Sequence, residues 1–319
     1  MVVTVGSLTL DPPVLLAPMA GITDRPFRDL VRRFGVALTV SEMVASREMV
    51  EANRKTRARA ALGCGREAVQ IAGREARWMA EAARIVEARG AALIDVNMGC
   101  PAKQVTGGAS GAALMRDLDH ATRLIDAVVG AVSVPVTLKC RLGWDDTTTA
   151  VALARRAEAA GVAMVTVHGR TRCQFYRGTA DWRAVRGVVE AVRIPVVVNG
   201  DVTDAARARA ALAASGAAGV MVGRGAQGAP WIPARIMAAL SGRPAPALPD
   251  PVAVAGEHYD ATLAFYGAEL GARVARKHLG WYMDGAGTPV ALRRAVLTER
   301  EPAAVRALLP DALAFREAA

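Results

Sequence analysis

The segment VPVTLKCR, residues 134–141, alternates with a period of two. In an extended chain Thr137, Lys139 and Arg141 share one face, and Val136, Leu138 and Cys140 share the other. Short Val/Ile/Leu-rich runs of this kind recur at 14–18, 37–41, 68–72, 92–97, 134–140, 163–169, 194–200 and 218–223. Longer Ala/Arg/Glu-rich runs of helical period separate them, the pattern of repeated β-α units around a buried parallel sheet. Eight such units within residues 1–240 match the size of a TIM (β/α)8 barrel. A doubly wound open sheet holds the same units, but the polar residues favour the barrel. The runs stay apolar until they close on Met19, Glu42, Gln70, Asn97, Lys139, His168, Asn199 and Gly223. Those are the strand ends from which TIM barrels assemble their active sites. Lys139 is then an inward residue, and Cys140 points into the helical layer as a structural thiol.

The composition sets the outer limits. The chain has 319 residues, 52% of them hydrophobic and 22% charged. No apolar stretch approaches the roughly 18–20 residues of a membrane span. The start, MVVTVGSLTLDPPV, lacks a basic segment followed by an apolar one, so a cytoplasmic location is expected. The four cysteines, Cys64, Cys100, Cys140 and Cys173, form no CxxC pair. Neither a disulfide framework nor a zinc site follows, and no metal is expected. The net charge of +10 rests on arginine, since lysine occurs only at 55, 103, 139 and 277. A coding bias toward arginine and a polyanionic partner such as nucleic acid both account for it. After the eighth unit, residues 241–251 (SGRPAPALPDP) hold four prolines and read as a stiff linker. Residues 252–319 carry no strand signal and read as a small C-terminal helical domain. It has eight Lys/Arg against eight Asp/Glu and is not net basic.

The last two strand ends, NGDVTD (199–204) and VGRGAQG (222–228), supply glycines and Arg224 for a phosphate site. Residues 223–228 also satisfy GxGxxG, but no further strand completes a βαβ unit, so they read as a phosphate loop. Gln70, Lys139, His168 and Asn199 converge as amide, ammonium and imidazole donors beside it, a set that suits flavin mononucleotide. Cys100, in ALIDVNMGCPAKQVTGG (92–108), stands between Gly99 and Pro101 on the loop after the fourth strand. That position, above the barrel mouth and between residues that break regular structure, favours a chemical role, as a nucleophilic thiolate or as a general acid.

Read together, APMAGITDRPFR (17–28), SEM (41–43), VQIAG (69–73), DVNMGCPAKQV (95–105), VTLKCRLGW (136–144), VHGRT (167–171), NGDV (199–202) and GRGAQGAPW (223–231) resemble the tRNA-dihydrouridine synthases. The likeness is greatest to the B-type bacterial branch, and it continues into RVARKHLGWY (273–282). The resemblance implies an FMN enzyme that reduces the C5=C6 bond of a tRNA uridine with NADPH, at position 17 of the D-loop for the B-type branch. It implies an FMN site built from Ala17, Pro18, Met19, Gln70, Lys139, His168, Asn199, Gly200, Asp201, Gly223 and Arg224. By that resemblance hydride would pass from flavin N5 to C6, and Cys100 would protonate C5. Asn97 orients the uracil, with Arg141, His168 and Arg177 as contacts to the base or a nearby phosphate. Arg276 and Lys277, beside Trp281 and Tyr282, become candidate tRNA contacts, and residues 252–319 a tRNA-binding domain. A monomer is expected. An FMN-dependent dehydrogenase of a free pyrimidine and a non-catalytic tRNA-binding protein stay open as alternatives.

Overall fold

The computed structural model describes residues 2–63 and 65–314; Cys64 and the last five residues lie outside it. The chain opens with a hairpin, β1 (Val3–Val5) antiparallel to β2 (Leu8–Leu10). The barrel strands follow as β3 (Val14–Leu16) and β4 (Leu38–Val40), then, past a two-residue β5 (Val44–Ala45), β6 (Glu67–Ala72) and β7 (Leu93–Met98). The circuit ends with β8 (Val136–Arg141), β9 (Met164–His168), β10 (Val196–Asn199) and β11 (Gly219–Val222). Each of the eight expected runs holds one of these strands. Neighbours pair in parallel around the ring, and β11 closes it on β3 through Val220–Val14, Met221–Leu15 and Val222–Leu16. The architecture is a TIM barrel. The short β5 extends the β6 edge above β4, pairing Val44 with Ile71.

Period-two alternation divides the strand residues between two cores. Val136, Leu138 and Cys140 lie with the helix-facing residues of the other strands in the larger core. Burial there pushes the Cys140 thiol up to about 12, as expected of a structural thiol. The inner core holds Leu15, Leu38, Ala68, Leu93, Met164, Val197 and Met221, sealed by Val3, Val5, Leu8 and Leu10 of the hairpin. The hairpin therefore plugs the N-terminal end of the barrel. One layer higher the inward positions turn polar, with Gln70, Asp95, Thr137, Thr166, Asn97, His168 and Asn199 all buried.

Residues 243–250 have no regular structure, and Pro251 is the first residue of a helix, Pro251–Tyr266, capped by the Asp250 carboxylate. Helices Ala268–Ala286, Val290–Thr298 and Pro302–Leu313 complete the helical segment. Its core, including Val254, Tyr259, Leu279, Met283 and Leu309, takes in Leu30 from the barrel helix Arg25–Arg33. Phe27 of that helix lies against two buried imidazoles, His258 at 5.5 Å and His278 at 5.4 Å. The loop after β11 docks on the same segment, so that a Cβ on Gly228 (φ 68°) would lie 2.4 Å from the Trp281 carbonyl oxygen. No helix among the described residues is long and apolar enough to cross a membrane.

Two measurements test this junction. Gly228→Ala adds a clash to a left-handed backbone and should cost about 2 kcal/mol in thermal unfolding, whereas Gly285→Ala, exposed in a helix with open space at its Cβ, should gain about 0.5–1 kcal/mol. The second concerns His258, which burial holds down to about 3 from the 6.5 of a free imidazole. Between those values the unfolded chain binds a proton that the native chain does not, so this residue costs stability as pH falls below 6.5. The stability of His258→Phe relative to the parent should therefore improve by about 2 kcal/mol between pH 7 and pH 5. A pH-independent difference would contradict the assignment.

Candidate active site

The polar layer opens into a cavity of about 880 Å³ at the C-terminal mouth of the barrel. Its floor is organised by one buried carboxylate. Thr137 Oγ1 donates to Asp95 Oδ1 at 2.6 Å, and Gln70 Nε2 donates to Asp95 Oδ2 at 2.7 Å. Gln70 Oε1 in turn accepts from Asn97 Nδ2 at 2.7 Å, and Asn97 Oδ1 accepts the backbone N–H groups of Gly99 at 3.2 Å and Cys100 at 3.0 Å. This chain crosses β8, β7 and β6 and ends on the loop that carries Cys100. Burial raises the Asp95 carboxyl to about 6, although the hydrogen bonds from Thr137 and Gln70 oppose the shift. Asn97 keeps one amide N–H for a ligand, as does Gln70.

Cys100 is half-buried and faces the cavity. Its carbonyl accepts from Ala112 N at 3.0 Å, which pins the loop from its far side. The next turn needs a glycine: Gly111 has φ 61°, and a Cβ there would lie 2.8 Å from the Cys100 carbonyl oxygen.

Cations line the adjoining wall. Lys139 lies one inward position above Thr137 on β8, and burial, reinforced by Arg141, holds its ammonium down to about 8. Arg141 is buried and spends three hydrogen bonds on carbonyls, those of Gly99 at 2.9 Å and of Thr171 and Phe175 at 2.8 Å each. Burial lowers its pKa to about 10. His168 is held well below the usual imidazole range, first by burial and then by Lys139, Arg141, Arg170 and Arg224. The Asp201 carboxylate takes Arg170 on both oxygens, at 3.0 and 2.7 Å, and Arg224 on Oδ1 at 3.3 Å. Above them the Tyr176 ring lies 5.4 Å from the Arg141 guanidinium and 5.1 Å from that of Arg224.

Ala17, Pro18, Met19, Gln70, Asn97, Cys100, Lys139, Arg141, His168, Asn199, Gly200, Asp201, Gly223 and Arg224 all line this one cavity. Three candidates do not. Arg177 has an exposed side chain and contributes its carbonyl to Arg170 at 3.1 Å. Arg276 and Lys277 sit half-buried on the helix Ala268–Ala286, with Lys277 Nζ 3.6 Å from the point where a Cβ on Gly21 would stand. Sequence reasoning passed over Asp95, Thr137, Arg170, Phe175 and Tyr176. The first two share the inward face of residues already singled out, and Arg170 follows His168 by two positions. Phe175 and Tyr176 lie in a loop with no periodic signal. The arrangement suits a planar, carbonyl-rich ring over Gln70, Lys139 and Asn199, with a phosphate at the glycine-lined turns of β10 and β11.

A family model for dihydrouridine synthases (Dus) matches residues 15–316. A probable tRNA-dihydrouridine synthase of Rhodobacter capsulatus is 61% identical, with 100% of both chains covered. One from Rhizobium leguminosarum bv. phaseoli is 52% identical over 94% of this chain and 95% of its own. The tRNA-dihydrouridine synthase B of Pseudomonas aeruginosa is 46% identical over 88% of this chain and 87% of its own. Among solved structures, histamine dehydrogenase from Rhizobium sp. 4-9 aligns with a TM-score of 0.56 at 13% identity, over 82% of this chain and 50% of that one, a likeness of fold. With the family model spanning nearly the whole chain, this protein belongs to the dihydrouridine synthase family.

Proposed function

We propose that this protein reduces the C5=C6 bond of a tRNA uridine to 5,6-dihydrouridine, with FMN as its flavin and NADPH as the reductant. The observation that carries the reading is the convergence on one cavity of a half-buried thiol, Cys100, an ammonium, Lys139, and the Asn97 amide, which is in register with Lys139 and accepts the Cys100 N–H. At about 880 Å³ the cavity is near the upper end of the ~300–1,000 Å³ typical of ligand sites, which leaves room for a base beside a cofactor.

The residues fit a flavin mononucleotide. Lys139, Gln70 and Asn199 offer donors to the ring carbonyls, Ala17, Pro18 and Met19 offer an apolar edge, and the Gly200–Asp201 and Gly223–Arg224 turns take the phosphate. The Asp201 carboxylate is occupied by Arg170 and Arg224, so its backbone N–H is the group left for an anion. When bound, the flavin supplies hydride chemistry, directed at uracil C6. Asn97 and Arg141 hold the base so that C5 faces Cys100. The C5–H bond forms as the S–H bond breaks, and the thiolate recovers its proton from solvent at the open mouth.

An extruded uridine leaves its stack at a cost of a few kcal/mol, which contacts to the RNA backbone must offset. The loops after β7, β8 and β9 carry a surface suited to that. Two guanidiniums lie against the Trp144 indole, Arg116 at 5.0 Å and Arg172 at 4.6 Å, with Lys103 and Arg177 exposed nearby in the chain. Guanidiniums held on an aromatic face keep their N–H edges free for phosphate oxygens. Arg276 and Lys277 extend the reading to the helical segment, residues 252–319, as a tRNA-binding domain. The B-type resemblance of the motifs points to position 17 of the D-loop, and the proposal is completed by a monomer, which leaves tRNA access to a large surface, in the cytoplasm.

Anaerobic reduction by NADPH followed by addition of substrate tests the reaction. Flavin absorbance should recover rapidly with unmodified tRNA and not with free uridine or orotate. Cys100→Ala should slow that recovery by at least 100-fold while tRNA affinity is kept; recovery with orotate alone would replace tRNA by a small pyrimidine. Arg116→Ala and Arg172→Ala should each weaken tRNA binding about tenfold and reduce the salt slope by about 0.7–0.9. Flavin reduction by NADPH should be unchanged in both. An unaltered salt slope would remove these residues from the RNA surface.

A further inference from the structure

We infer that Arg170 fixes the protonation pattern of His168, holding the imidazole neutral with its proton on Nδ1, so that the ring presents an N–H donor to the ligand of the cavity. Arg170 is 1% exposed and every hydrogen of its guanidinium is directed. Nε donates to the Arg177 carbonyl at 3.1 Å, and Nη2 donates to the Gly178 carbonyl at 2.6 Å and to Asp201 Oδ2 at 2.7 Å. Nη1 donates to Asp201 Oδ1 at 3.0 Å, and its second hydrogen meets His168 Nε2 at 3.3 Å. A guanidinium has five N–H donors and no acceptor, so all five are accounted for. Its partner at His168 must then offer a lone pair. A proton on Nε2, in the neutral ring or in the imidazolium, would set two N–H groups against each other.

The rest of the surroundings favour the same state. The Cδ2–Nε2 edge of the ring packs on the turn after β10. There Gly200 has φ 112°, and a Cβ would lie 2.8 Å from Cδ2 and 3.0 Å from Nε2. That edge is closed, which leaves Nδ1 as the ring nitrogen open to the cavity that His168 lines. The charged groups around the ring are Lys139, Arg141, Arg170 and Arg224. The carboxylate beside it, Asp201, is bound to Arg170 and Arg224. A positive charge on the imidazole would be repelled from several sides at once. Arg170 is therefore a positioning residue: it acts through His168, and through Asp201 it also holds the turn that carries Gly200. The identity of the acceptor facing Nδ1 rests on the proposed function, in which flavin and uracil carbonyls both qualify; the tautomer does not.

The test is a long-range 1H–15N correlation spectrum of protein labelled at its imidazole nitrogens, recorded without flavin from pH 8 to pH 5. The His168 signals are identified by their loss in His168→Gln. The expected result is the Nδ1–H pattern, unchanged over that range. An Nε2–H pattern, or conversion to the imidazolium within it, overturns the inference, and the parent protein alone decides this. Arg170→Lys and Arg170→Met then test the agent: both should give mixed tautomers, while a pure Nδ1–H pattern in a folded Arg170→Met would acquit Arg170. Adding FMN separates the two readings. A moved Nδ1 signal supports the donor role, and an unmoved one in protein whose absorbance shows bound flavin overturns it. Failure to bind FMN would count against the cofactor and leave the tautomer result standing.

Discussion

The geometry of the mouth depends on a carboxylate sealed inside the barrel. Asp95 is 2% exposed, and its oxygens are taken by Thr137 and Gln70, neither of them a cation. Burying an acid in that way is costly, which is why its pKa rises to about 6. The gain is orientation. An amide can be flipped about its last torsion at little intrinsic cost, but Gln70 cannot turn without presenting its carbonyl to Asp95. With Gln70 fixed, Asn97 has a single satisfied orientation, and its Oδ1 then holds the N–H groups of Gly99 and Cys100. The place of the thiol is thus set from below, through three side chains on adjacent strands, as well as by the loop's own bond from Ala112 N to the Cys100 carbonyl.

The barrel makes such a network workable by keeping its two ends different. The hairpin residues Val3, Val5, Leu8 and Leu10 close the lower end over an apolar layer, opposite the cavity mouth. The polar layer rests on a low-dielectric base, which strengthens its hydrogen bonds and makes any unpaired group expensive. Lys139 shows the effect directly, with an ammonium held down to about 8 by its burial. A group in that position gains from any ligand that brings electron density to it.

Most of this was legible because parallel strands expose their logic in sequence. Alternation along VTLKCR placed Lys139 and Arg141 inward and Cys140 outward, and the structure has them so. The polar residues closing each run converge because eight strand ends share one rim. What escaped reading depended on contacts between distant segments. The hairpin is two alternating triplets around Gly6-Ser7, too short to stand out, and it is held by the barrel beneath which it packs. Arg170 was visible in VHGRT, but its five acceptors come from Arg177, Gly178, Asp201 and His168, which no periodicity relates. Lys277 was legible as a basic residue of a helical stretch and a candidate tRNA contact, but not the place of its Nζ beside Gly21, on the loop after β3.

The charge balance of the cavity carries the last step. Lys139, Arg141, Arg170 and Arg224 gather around His168, with Asp201 and Asp95 as the carboxylates among them. Four cations against two acids would be unstable if they competed for the same partners. Competition is limited: Arg170 and Arg224 share Asp201, but Arg141 is held by three backbone carbonyls and Arg170 spends its remaining hydrogens on two carbonyls and an imidazole. Neutral acceptors fix these side chains without cancelling their charge. The mouth therefore keeps a positive field while its members stay immobile. Such a field attracts a phosphate-bearing ligand and favours electron density arriving on a bound ring, and it also explains why the imidazole at its centre must remain neutral.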